Sequence, residues 1–185
     1  MKNLNQVVEA LKRGDVIAYP TEGVFGVGCD PDNEQALLKL LEVKKRPQEK
    51  GLILIAGSME QLEPYIELDE LSLDQIKAIK ESWPGPVTWI VPVSSKTLPL
   101  VTGQFSSIAV RVTNHPQVKA ICSAFGKPIT STSANLSGLE PCRSIDEVEY
   151  QLADSGVVIF QGEVGNRTQP TEIRDAKTGN TLRQG

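Results

Sequence analysis

The sequence predicts an α/β fold on a mixed β-sheet, and three observations carry that expectation. Short apolar runs of strand length interleave with stretches whose apolar residues recur at helical spacing. The last strand-like segments follow one another without a helix between them, which makes the sheet mixed rather than purely parallel. Of the 185 residues, 39% are hydrophobic and 23% charged, a balance that suits a folded domain and not a disordered chain. The length suits one domain over residues 1–185.

Leu4, Val7, Val8 and Leu11 mark a first helix, stopped by Gly14. Val16 to Tyr19 is a short strand ended by Pro20. TEGVFGVGCDP reads as a glycine-rich connection. Asp32 with Gln35 forms a capping box for a helix that carries Leu37, Leu38, Leu40 and Leu41 and ends near Arg46-Pro47. Leu52 to Ile55 is a buried strand. Ser58 with Gln61, and Ser72 with Gln75, open two more helices by the same logic. Trp83-Pro84-Gly85-Pro86 is a rigid break. Val87 to Val93 and Ile108 to Val112 are strands, and Pro116 to Phe125 is a helix capped by Gly126. Ile129-Thr130 begins a strand that runs into STSANLSG. Asp146 to Leu152 is helical and Val157 to Phe160 extended. Thr171 to Arg174 and Leu182-Arg183 flank Thr178-Gly179-Asn180 as a hairpin.

Charge and composition exclude several function classes. The net charge of −4 argues against nucleic-acid binding by the whole surface. The exception is local: Lys39 to Lys50 holds five basic and two acidic residues. No apolar run has the length of a membrane span, and the N-terminus is amphipathic rather than signal-like, so a cytoplasmic location with no membrane partner is expected. Cys29, Cys122 and Cys142 are scattered and His115 is the one histidine, which argues for reduced thiols and against a zinc site. There is no P-loop, no nucleophile elbow, and the spacing of Gly23, Gly26 and Gly28 does not fit a dinucleotide fingerprint. His115 sits in Asn-His-Pro and reads as a turn or helix-entry residue. An enzyme of this composition works by positioning and electrostatics.

Four motifs remain. Lys44-Lys45-Arg46-Pro47 with Lys50 sits at a helix end, where a point charge and a planar fork suit a polyphosphate. A solvated helix terminus is the plainer reading. Thr130 to Gly138 offers hydroxyls, an amide and backbone N–H groups to phosphate or sugar oxygens, or merely caps a helix. Arg111 lies within the apolar strand and needs a partner, either a protein acid or a substrate carboxylate. Tyr19-Pro20-Thr21-Glu22 ends a strand, where α/β folds bind ligands.

The stretches AYPTEGVFGVGCDP, KKRPQEKGLILIA, WPGPVTWIVP, SIAVRV, TSTSANLSG and PTEIRD together resemble the YrdC/TsaC family of single-domain threonylcarbamoyl-AMP synthases. The family's K-x-R…S-x-N pattern reads as Lys44-x-Arg46 and Ser133-x-Asn135, and the resemblance runs from about Val16 to Arg183. It implies a twisted mixed sheet flanked by helices, with a concave basic cavity. It implies formation of threonylcarbamoyl-AMP and pyrophosphate from L-threonine, bicarbonate and ATP, with Mg2+ accompanying the nucleotide. Proteins of the TsaD, TsaB and TsaE type would then transfer the threonylcarbamoyl group to tRNA. By motif position, Lys44 and Arg46 are the expected catalytic pair. Lys44, Arg46, Lys50, Ser107, Asn135, Arg143 and Arg183 are expected at ATP. Thr21, Arg111, Ser133 and Thr171 are expected at threonine. No protein nucleophile is required and no residue is assigned to a metal.

The chain departs from the family pattern at Gly23, where many relatives carry a hydroxyl, at Lys50-Gly51, near Ile55, where a histidine is missing, and at Gln184 in Arg183-Gln184-Gly185. Longer relatives continue into a second domain, so a more open site that depends on partners is expected here. A reading from another class is a binding module for tRNA or double-stranded RNA without its own catalysis. Its groove would be lined by the basic stretch with Arg111, Lys119, Lys127 and Arg143. Aromatic residues are only 5%, so such binding would rest on phosphates rather than base stacking.

Overall fold

The computed structural model describes residues 2–168 and 170–184; Met1, Gln169 and Gly185 lie outside the described residues. Among these, the helices are α1 (Leu4–Lys12), α2 (Glu34–Lys44), α3 (Leu73–Ser82), α4 (Pro99–Thr102), α5 (Pro116–Phe125) and α6 (Ile145–Leu152). The strands are β1 (Ile17–Pro20), β2 (Phe25–Gly28), β3 (Ile53–Ala56), β4 (Val87–Pro92), β5 (Ser107–Val112), β6 (Ile129–Ser133), β7 (Val158–Ile159), β8 (Glu172–Asp175) and β9 (Thr181–Arg183). They form one mixed sheet in the order β7-β1-β2-β6-β3-β5-β4-β8-β9. β1–β7, β3–β5 and β4–β8 are parallel pairs and the other neighbours are antiparallel.

Helix ends follow local chemistry. α3 opens on the Ser72/Gln75 capping box, in which each side chain accepts from the other residue's backbone N–H. Asn3 and Gln6 do the same for α1. α5 starts on Pro116, whose fixed φ suits a first turn, and ends on Gly126 at φ +85°. His115 is the residue that precedes this helix, as its sequence context suggests.

Three expectations need correction, and one helix has no counterpart among them. TEGVFGVGCDP is not a mere connection: Phe25–Gly28 is β2, buried throughout and paired with both β1 and β6. Asp32 does not cap α2; the Asn33 side chain accepts from Ala36 N at 3.1 Å, while Asp32 accepts from the Tyr65 hydroxyl and from Lys127. Ser58 opens no α-helix. The Gln61 side-chain oxygen accepts from Gly57 N, four residues back, and its Nε2 donates to Cys122 O, so the side chain does not close a capping box on Ser58. α4 was not foreseen, being four residues held between Pro99 and Gly103.

Strand register places the side chains in two layers. Leu54, Val110 and Trp89 join α2 residues Ala36, Leu37 and Leu40 in one buried cluster. Ile55 and Ile129 face the other way and meet Val7, Ala10 and Leu11 of α1 with Val118 and Ile121 of α5. On that second face a row runs across four strands: Ser131, Ile53, Ala109, Ile90. All four residues line a cavity rather than a helix. α1 and α5 therefore cover only part of the face, and the remainder is the floor of the site.

Candidate active site

The open part of the sheet floors a cavity of about 700 Å³. Beside the isoleucines Ile53 and Ile90, several floor residues are small or polar, Ser107, Ala109, Ser131 and Thr88 among them, and leave space that larger side chains would fill. The β1–β2 turn supplies Thr21 and Glu22, the end of α2 supplies Arg46, and the short 3-10 turn Gln48–Lys50 supplies Lys50. Six basic side chains (Arg46, Lys50, Arg111, Arg143, Arg167 and Arg183) line it against two acidic ones, Glu22 and Glu140. In a chain of net charge −4 this concentrates positive potential where an anion would sit.

Arg46, Lys50, Ser107, Arg143 and Arg183 all line this cavity, as do Thr21, Arg111, Ser133 and Thr171. Arg46 donates through Nε to Gly51 O at 3.0 Å, and burial pushes its guanidinium below the usual arginine range. Arg183 forks onto Thr171, with Nη2 at 2.7 Å from its carbonyl and 3.0 Å from its hydroxyl. Burial, and then the nearby Arg111 charge, pushes Arg183 down too. Arg143 reaches Gly23 O at 3.2 Å and Thr168 O at 3.4 Å, tying the 163–168 segment to the β1–β2 turn.

Lys44 and Asn135 do not line the cavity. Lys44 is only 5% exposed, and its Nζ donates to Ser133 O at 2.6 Å, to Asn135 O and to Asn135 Oδ1 at 2.8 Å. Asn135 Oδ1 also accepts from the Ser133 hydroxyl at 2.6 Å, and its Nδ2 donates to Leu136 O and Leu139 O. The two residues occupy each other: a buried cation holds the Ser133–Asn135 wall from behind. Burial, followed by repulsion from Arg46, pushes Lys44 down to about 8.

Arg111 is 5% exposed and pairs with Glu22, Nη1 to Oε2 at 2.9 Å, so the protein acid weighed for it is present. Thr113 donates its hydroxyl to the other Glu22 oxygen at 2.6 Å. Burial alone would raise the Glu22 carboxyl, but Arg111 and Thr113 outweigh it and hold the group below the usual carboxylate range.

Arg167 and Phe105 also line the cavity and were not singled out from sequence. Arg167 lies in the stretch QGEVGNRTQP, which has no periodicity to read. The usable signal was Gly165, where a Cβ would come within 2.6 Å of Glu22 O, so this strap passes close to the β1–β2 turn. The cations of the RNA-binding reading do not form one exposed groove. Arg111 is buried, Lys44 is internal, and Lys127 is paired with Asp30 at 2.6 Å and Asp32 at 2.8 Å. Cys29, Cys122 and Cys142 are all free and buried.

The Sua5/YciO/YrdC family model, described as "Telomere recombination", matches residues 9–185. A threonylcarbamoyl-AMP synthase of Aliivibrio fischeri is 84% identical over the full length of both chains. Among solved structures, P. abyssi Sua5 complexed with L-threonine is 28% identical and superposes with a TM-score of 0.86. The match covers 93% of this chain, which spans about half the length of that Sua5 chain. E. coli YciO is 25% identical with a TM-score of 0.85, covering 98% of this chain and 88% of the other. With full-length relatives this similar and a matching fold, the chain belongs to the Sua5/YciO/YrdC family.

Proposed function

We infer that the chain is a threonylcarbamoyl-AMP synthase, joining L-threonine and bicarbonate to the AMP portion of ATP and releasing pyrophosphate. The observation that carries this reading is one cavity with two chemistries. Cations crowd it, and the hydroxyls of Thr21, Ser133 and Thr171 line the same space. The threonine amine, as the free base, attacks the carbon of bicarbonate, a C–O bond breaks and water leaves, giving a carbamate. A carbamate oxygen attacks the α-phosphorus, and the bond to pyrophosphate breaks. Negative charge builds on phosphate oxygens, so Arg46, Lys50 and Arg143 act electrostatically, and orientation of three substrates supplies the rest. Ser107 and Arg183 complete the proposed nucleotide contacts. Lys44 and Asn135 serve by fixing the wall that bears Ser133.

Magnesium enters this reading as part of the MgATP substrate. Among the described residues no group of three or more His, Cys, Asp or Glu side chains could cage a metal ion. Transfer to tRNA falls to downstream proteins of the TsaD, TsaB and TsaE type, in the cytoplasm. No helix of the described residues is long and apolar enough to cross a membrane.

The test is pyrophosphate release from ATP and magnesium, with bicarbonate and L-threonine each omitted in turn. Release that needs both supports the reading; none, even with the partner proteins, returns the case to RNA binding. Arg46→Ala is expected to lower kcat/KM for ATP about 100-fold. Lys45→Ala should stay within about threefold, because Lys45 is an exposed residue just past the end of α2. Equal losses in the two variants would contradict the phosphate assignment.

A further inference from the structure

Glu22 is out of place in a cavity built for anions. ATP and bicarbonate are both anionic, and a carboxylate beside their site repels them. Yet Glu22 is held there at two points, by Arg111 Nη1 at 2.9 Å and by the Thr113 hydroxyl at 2.6 Å. Its side chain retains 20% exposure, whereas the Arg111 side chain retains 6%. Both line the same cavity beside Thr21. A carboxylate and a guanidinium side by side form a mirror of an α-amino acid head group. The zwitterion presents one carboxylate and one ammonium a single carbon apart.

We propose that Glu22 binds the α-ammonium of threonine while Arg111 binds its carboxylate, so that the Glu22–Arg111 pair selects amino acids over other carboxylates. This rests on the functional reading above, in which threonine is the cavity's substrate. Of the three organic or carbonate substrates, threonine alone carries a cationic group, and Glu22 is the more enclosed of the two carboxylates that line the cavity. The fold keeps Glu22 ionised, which suits an ion-pair partner. Magnesium is the competing cation for a lone carboxylate, and the test removes it.

The experiment measures binding by calorimetry or ligand-observed NMR in the absence of nucleotide and magnesium. The ligands are L-threonine and 2,3-dihydroxybutanoate, which keeps the carboxylate and side chain and replaces the ammonium by hydroxyl. Wild-type protein should prefer threonine. Glu22→Gln keeps the shape and can still accept from Arg111. It should lose about 10- to 100-fold in threonine affinity, the size of a charge-assisted contact, and less than about threefold for the hydroxy acid. Glu22→Asp should keep part of the preference. Equal losses for both ligands would make Glu22 a positioning residue for Arg111 and overturn the proposal, as would unchanged threonine binding. Far-UV circular dichroism and the melting temperature confirm that the variants fold. Wild-type protein that binds no threonine, with or without MgATP, defeats the functional reading itself and takes this inference with it.

Discussion

Lys44→Met is expected to reduce pyrophosphate release at least about 100-fold and to destabilise the fold by about 2–4 kcal/mol. Methionine keeps the stem but leaves Ser133 O, Asn135 O and Asn135 Oδ1 without the ammonium that joins them. Three oxygens with no shared donor repel one another, and the wall bearing Ser133 opens. The same lysine gives a pH dependence whose sign can be worked out. Its ammonium is pushed from 10.5 down to about 8, chiefly by burial. Between those values the unfolded chain binds a proton that the fold has released, so this group's contribution to stability rises with pH across that window. Activity runs the other way, because a neutral amine has two hydrogens for three acceptors. Wild-type kcat/KM should therefore fall above about pH 8 while the melting temperature shows no matching drop from this group. The residual activity of Lys44→Met should lack that step. Retention of a third or more of wild-type activity by the variant would mean that the wall holds without the cation.

This arrangement marks where sequence reading stops. The basic stretch and the S-x-N loop were both legible, and so was their link to one family. Nothing in the sequence says that Lys44 turns inward to meet Asn135, 91 positions away, instead of facing the ligand space. Arg111 was legible as a buried charge in need of a partner. That the partner is Glu22, across 89 positions, is a product of the fold. Caps such as Ser72/Gln75 and Gly126 were readable because their chemistry is local. β2 was not, because glycines read locally as loop formers, whereas both glycines of β2 serve close packing. Gly26 lies against the Tyr19 ring and Gly28 against the backbone of β6. The cavity itself was the least legible feature. Strand-end logic pointed to Thr21 and Glu22, which do line it, yet most of its floor is a sheet face left uncovered by helices. A row such as Ser131, Ile53, Ala109 and Ile90 exists only once four strands are in register.

Gly28→Ala is expected to leave little folded protein, at a cost above about 4 kcal/mol. A Cβ at Gly28 would lie 1.7 Å from the Thr130 carbonyl oxygen and 2.8 Å from its carbon, and neither is a flexible side-chain end. Relief requires β2 and β6 to part by more than an ångström. The contacts that would have to give are short ones. Tyr19 donates its hydroxyl to that same carbonyl at 3.0 Å, Cys29 N donates to the Thr130 hydroxyl at 2.8 Å, and Thr130 N donates to Cys29 O at 3.0 Å. All of these groups are buried, so each broken bond leaves polar atoms without water to replace it. Gly126→Ala is the control. Gly126 has φ +85° but nothing within 4 Å of an added Cβ, so it should lose only about 1 kcal/mol through backbone strain. Urea unfolding of the two variants separates close approach from backbone conformation as the reason for a glycine. If Gly28→Ala unfolds with the same midpoint as Gly126→Ala, the strands have room that these distances deny. If it is far weaker, the loss extends to function, because β6 carries Ser131 and Ser133 into the cavity only while it lies against β2.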